Sequence, residues 1–149
     1  MKYFVLLFFL FPQLALSSLS SEEVKITQYI ESQSETSYQL LKKIVEINSD
    51  SLNIQGVRQV GNVLKKELES LGLSTRWVKM PIEMGRAGHL FASTTGKSGK
   101  KILLIGHLDT VFEKNSAFQK LYKDGNYIYG PGVNDMKGGL VAIMFALKA

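Results

Sequence analysis

The sequence predicts an α/β fold in which helices flank a mixed, largely parallel sheet that is incomplete at its C-terminal side. Three observations carry that reading. Helical periodicity in the first half gives way to short strand-like segments from residue 74 onward. The run "KILLIG", residues 101–106, holds four consecutive apolar residues, the pattern of a strand covered on both faces in a parallel sheet flanked by helices. The final stretch "LVAIMFALKA" is apolar nearly all round and calls for cover on more than one side. With 149 residues and 45% hydrophobic content, the chain has material for one modest domain.

Taken in order, the first residues have the features of an export signal. Lys2 supplies the positive start and "YFVLLFFLF", residues 3–11, an unbroken apolar core. That core is shorter than the roughly 20 residues a membrane-spanning helix needs. Small residues at Ala15 and Ser17, or at Ser18 and Ser20, suit a cut near 17/18 or 20/21. The chain then divides into a signal over 1–20 and a domain portion over 21–149, exported to a periplasm or secreted, with no stable membrane anchor after cleavage. An uncleaved anchor and a buried strand remain the alternatives. The absence of cysteine excludes disulfides and cysteine lipidation and is otherwise silent on compartment.

Beyond the signal, "SSEEVKITQYI" opens with a capping-box pattern of Ser20 with Glu23. A second such pattern, Thr36 with Gln39, precedes Leu40, Leu41, Ile44 and Val45. The two describe one long helix or two short ones. Val57, Val60, Leu64, Leu68 and Leu71 recur at spacings of three and four, and Gly72 is placed to end that helix. "STRWVKM" (74–80) and "HLFAST" (89–94) fit strands separated by "PIEMGRAG". After the polar turn "GKSGK" comes "KILLIG", whose carboxyl end, where ligands bind in open α/β sheets, leads into "HLDTV". "LYKDGNYIY" (121–129) reads as a hairpin turning at Asp124 and Gly125, or including Asn126. The glycine-rich "GPGVNDMKGG" leads into the last helix. That helix ends without a glycine cap, a proline or a polar tail, as expected of a domain that is unfinished at this point.

Net charge is +5, or +4 without Lys2, and the lysines are scattered with no arginine-rich stripe. Nucleic acid is therefore not an expected partner. "TTGKSGKK" imitates a phosphate loop, but the pattern requires glycine where Phe91 stands. A nucleotide-binding protein would rest on the glycine loop alone.

Two short motifs carry the chemistry. His107 and Asp109 lie two positions apart on an extended segment and so project to the same side. Asp109 can then accept from the imidazole nitrogen that a metal does not use, which fixes the tautomer and raises ligand basicity. A hydrogen-bonded surface histidine is the plainer alternative. Asp135 precedes a helix, where carboxylates are common as caps. The glycines around it permit close approaches that a cap does not need, and a carboxylate held that rigidly can bridge two metal ions. His89, the other histidine, is placed at a strand start.

"GHLDTVF" followed by "YKDGNYIYGPGVNDMKGG" resembles the zinc aminoacylase and carboxypeptidase family, which includes glutamate carboxypeptidase, acetylornithine deacetylase and succinyl-diaminopimelate desuccinylase. "YGPG" and "DTVF" look more like the glutamate carboxypeptidase branch. The resemblance implies a zinc-peptidase catalytic domain, of which this chain is the N-terminal portion. It implies that His107 binds one zinc, Asp135 bridges two, and Asp109 serves catalysis by steadying His107. Cobalt or manganese could stand in for zinc. A cis peptide between Asp135 and Met136 is implied as well. The implied reaction is hydrolysis of an amide bond beside a free carboxylate, in a small peptide or N-acyl amino acid, with homodimers expected only for a full-length form. In the family a glutamate pair, further ligands and a dimerisation domain come later in the chain. The chain alone is therefore expected to be inactive, and the rival reading is a non-catalytic truncated or decayed member acting at most as a binding module.

Overall fold

The computed structural model describes residues 19–96 and 98–149; the apolar segment read as an export signal lies outside them. Helix α1 (Ser21–Ser32) begins at the expected capping box. The Ser20 backbone N–H donates to the Glu23 carboxylate at 2.7 Å, and the Ser20 hydroxyl oxygen accepts from the Glu23 N–H at 3.3 Å. Gln33 separates α1 from α2 (Ser34–Val45), so the sequence encodes two short helices. The second capping box does not form. The Gln33 N–H already bonds the carbonyls of Tyr29 and Ile30, the helix resumes before Thr36 is reached, and Gln39 donates to the Glu35 carboxylate instead.

In α3 (Ile54–Ser70) the Asn53 side chain accepts from the Gly56 N–H at 3.1 Å, and Val57, Val60, Leu64 and Leu68 form the buried stripe that the spacing predicts. These pack with Leu40, Leu41, Ile44 and Val45 of α2 and with Leu140, Val141, Met144 and Phe145 of the last helix, α4 (Gly138–Lys148). Full burial of such side chains stabilises the fold by about 1.5–3 kcal/mol each. Only one face of α4 is covered, and Leu147 on the other is exposed. Glu67 is half-buried and pairs with Lys148 at 2.7 Å, pinning α3 to α4.

Strands β1 (Ser74–Val78) and β2 (His89–Ser93) pair antiparallel, Trp77 opposite Leu90. Strands β3 (Tyr122–Asp124) and β4 (Tyr127–Tyr129) form the second antiparallel pair, with Gly125 and Asn126 as the turn and Asp124 as the last residue of its strand. The parallel sheet expected around residues 102–105 is absent among the described residues. Ile102, Leu103, Leu104 and Ile105 belong to no strand and are 83%, 80%, 53% and 78% exposed. A strand is stabilised by pairing its N–H and C=O groups with neighbours, and no described strand lies beside this run. The one parallel pairing among the described residues is an isolated bridge between Asp50 and Thr110, which joins the α2–α3 loop to the segment carrying His107.

Candidate metal centre

Two tight approaches bring His107 and Asp135 together. Gly106 lies where a Cβ would meet Leu140 Cδ2 at 2.8 Å and Met136 Cε at 3.0 Å, so the chain passes close to the side chains at the start of α4. Gly132, at φ 76°, adopts the left-handed region that side chains disfavour, and a Cβ there would meet Thr110 Cγ2 at 2.7 Å. Between Gly132 and α4 the chain makes one wide helical turn, Val133–Lys137, in which Asp135 (φ −130°, ψ 94°) departs from helical geometry. The Asp135–Met136 peptide bond is cis, as the resemblance implies.

His107 Nε2 lies 2.9 Å from Asp135 Oδ1, although 28 residues separate the two in sequence. The opposite ring nitrogen, Nδ1, is 3.0 Å from the main-chain carbonyl of Asp109 and 3.3 Å from its carboxylate Oδ1. The Asp109 side chain lies within reach of the imidazole, and its backbone carbonyl is the nearer acceptor. A carbonyl can only accept, so Nδ1 carries a proton. Nε2 is then free either to offer its lone pair to a cation or to hold a second proton shared with Asp135. Asp109 Oδ2 accepts from the Ser51 hydroxyl at 2.5 Å, a contact that sequence reasoning misses. Ser51, His107, Asp109, Phe112, Asn134 and Asp135 help line an open cleft of about 300 Å³. The Asp135 carboxylate is 82% exposed to that cleft and can accept a ligand.

The donor set fits a metal. One imidazole nitrogen and one carboxylate oxygen converge, and the imidazole is anchored through its far nitrogen as ligating histidines usually are. Among the described residues no third histidine, cysteine, aspartate or glutamate joins them. His89 stands apart on β2, its Nε2 3.0 Å from Met80 Sδ.

Partial burial lowers the His107 pKa. The hydrogen bond to Asp135, the bond to the Asp109 carbonyl and the charges of both carboxylates outweigh it, so the net shift is upward from 6.5. A metal ion held by Nε2 would have to displace that proton, so its affinity is expected to rise with pH through the raised pKa and level off above it. In the metal-free chain the sign is opposite. The pair stabilises the fold fully below the unfolded value near 6.5, and this contribution is lost as pH rises through the folded pKa. Denaturant unfolding of the wild type and His107→Ala at pH 6 and pH 9 checks this, and an equal difference at both pH values contradicts it.

Beneath the loop, Lys137 is fully buried, and its ammonium donates to the Ile47 carbonyl just past α2 at 3.0 Å. Burial pushes its pKa down to about 8.

Residues 103–149, which contain His107, Asp109, Asp135 and Lys137 but not Ser51, match the family model described as peptidase family M20/M25/M40. Residues 103–149 thus resemble part of an M20-family peptidase domain. Carboxypeptidase G2 from Pseudomonas sp. (strain RS-16) is 34% identical over 110 residues, covering 72% of this chain and 26% of that protein. A probable succinyl-diaminopimelate desuccinylase from Staphylococcus aureus (strain MRSA252) is 33% identical over 115 residues, 73% of this chain and 26% of the relative. A peptidase M20 domain-containing protein from Schizosaccharomyces pombe is 31% identical over 108 residues, 72% and 25% respectively. The chain thus spans about a quarter of the length of the curated relatives it matches. The M20 match supports a hydrolase of the metallopeptidase or amidohydrolase kind, and the M20 family is generally metal-dependent.

Proposed function

We propose that the chain supplies the N-terminal share of a zinc site in an exported metallopeptidase that cleaves an amide bond next to a free carboxylate. The observation that carries the reading is the 2.9 Å approach of His107 Nε2 to Asp135 Oδ1, with Nδ1 already engaged. In this reading His107 holds one metal ion, Asp135 reaches two, and Asp109 keeps the ring in place. A pair of zinc ions, or cobalt or manganese, would supply Lewis acidity for the scissile carbonyl and lower the pKa of water. Gly106 and Gly132 give both ligands their close backbone approach. Substrates of this chemistry are small peptides and N-acyl amino acids. Export rests on the apolar start of the chain alone; no helix among the described residues is long and apolar enough to cross a membrane.

The finer architecture belongs to the same proposal. The exposed apolar residues 102–105 are a strand of a largely parallel sheet whose neighbours come from the rest of the domain, and homodimers form only at that length. The Asp50–Thr110 bridge supports a parallel arrangement.

A non-catalytic reading is favoured by one observation, the lack of a third ligand among the described residues. The 149-residue chain alone is accordingly expected to bind zinc without turnover. Calorimetric zinc titration of the wild type, His107→Ala and Asp135→Asn, with hydrolysis assays on N-acyl amino acids and C-terminal glutamate peptides, tests both parts. Zinc binding unchanged in both variants overturns the site. Turnover that depends on zinc and His107 overturns only the inactivity.

A further inference from the structure

We infer that Ser51 is a positioning residue for His107, acting through the Asp109 carboxylate; the inference rests on the zinc-site reading above. Two main-chain hydrogen bonds set the register. The Thr110 N–H donates to the Ser49 carbonyl at 2.8 Å, and the Ser51 N–H donates to the Thr110 carbonyl at 3.1 Å. This parallel bridge brings Ser51 beside Asp109 from 58 residues away, where its hydroxyl donates to Oδ2 at 2.5 Å.

The loop that presents the hydroxyl is itself held. Asn53 Nδ2 donates to the Asn48 carbonyl at 2.9 Å, and Asn48 Nδ2 donates to the Phe112 carbonyl at 3.0 Å. The α2–α3 loop is thereby stitched to residues 110 and 112, just beyond His107. A donor fixed in this way orients its acceptor at little further entropic expense.

The effect reaches His107 through the two oxygens of one carboxylate. With Oδ2 occupied by Ser51, Oδ1 is turned toward His107 Nδ1 at 3.3 Å, adding a negative partner on the side where the Asp109 carbonyl already sits at 3.0 Å. Together they favour the tautomer protonated at Nδ1, which leaves the Nε2 lone pair for a metal. Without the hydroxyl, the half-exposed carboxylate is free to turn to water, and the preference for that tautomer weakens.

The test uses the 149-residue chain and two readouts. Nitrogen-15 NMR of metal-free protein at pH 9 reports the His107 tautomer, and calorimetry with zinc alone reports affinity. Ser51→Ala is expected to raise the Nε2-protonated fraction and to weaken zinc binding by about 10–100-fold, the range typical of a partner behind a ligand. Ser51→Thr keeps the hydroxyl and is expected to restore both. If Ser51→Ala does not fold, Ser51→Val against Ser51→Thr makes the same comparison at nearly equal shape. An unchanged tautomer, with zinc affinity within twofold of wild type, overturns the role of Ser51 and leaves the zinc site standing. Absence of zinc binding in the wild type overturns the zinc site, and with it the inference that rests on it.

Discussion

In a form of this chain extended to the length of its relatives, His107→Ala is expected to lower kcat/KM for amide hydrolysis by at least about a thousandfold. Lewis-acid stabilisation by a bound metal is worth several kcal/mol, and each 1.36 kcal/mol is a factor of ten in rate. Removing the imidazole leaves Asp135, 82% exposed, without its convergent partner. The loss should be larger than that of Ser51→Ala, because His107 is itself a ligand in this reading. Steady-state kinetics at saturating zinc checks it; activity within tenfold of wild type places the metal elsewhere.

Lys137→Ala is expected to be about 2–4 kcal/mol less stable than Lys137→Met, whereas Lys137→Met should match or exceed the wild type. The two variants share the loss of the ammonium and differ in the space they leave. Deleting a long buried side chain opens a cavity costing about 2–5 kcal/mol when the surroundings do not collapse. The ammonium itself is costly. Its pKa falls from 10.5 to about 8 through burial, a penalty on the charged form of about 3 kcal/mol at 1.36 kcal/mol per pKa unit. Removing a charge of this kind while keeping volume is often neutral or stabilising, and here it offsets the unpaired Ile47 carbonyl, worth about 1–3 kcal/mol. The sign with pH follows. Over pH 8 to 10.5 the unfolded state binds more protons, so wild-type stability rises relative to Lys137→Met. Chemical denaturation of the three proteins at pH 7 and pH 10 measures both effects. A Lys137→Met variant markedly less stable than wild type at pH 7 would show that the ammonium has partners beyond Ile47.

The parts of the site legible in the sequence were those carried by local patterns. His107 and Asp109 follow an apolar run, and Asp135 sits among glycines whose spacing announces close approach. The α3 stripe was legible because its period is intrinsic to one helix. Ser51 was not, because its meeting with Asp109 depends on a bridge between segments 58 residues apart. Lys137 reads as a solvated lysine until the loop is folded over the end of α2. The run 102–105 shows a different limit. Its apolar residues state what environment a strand there would need, but a strand forms only where partners exist, and no described strand supplies one. The Thr36 cap failed for a local reason, since the helix had already restarted at Ser34.

X-ray absorption at the zinc edge, on the chain loaded with one equivalent of zinc, addresses the central claim most directly. His107 and His89 are the two histidines, so imidazole scattering can arise from few places. The account predicts one imidazole nitrogen and at least one carboxylate oxygen around zinc, with the imidazole signal lost in His107→Ala and retained in His89→Ala. A spectrum without imidazole scattering, or one unchanged by His107→Ala, would contradict it.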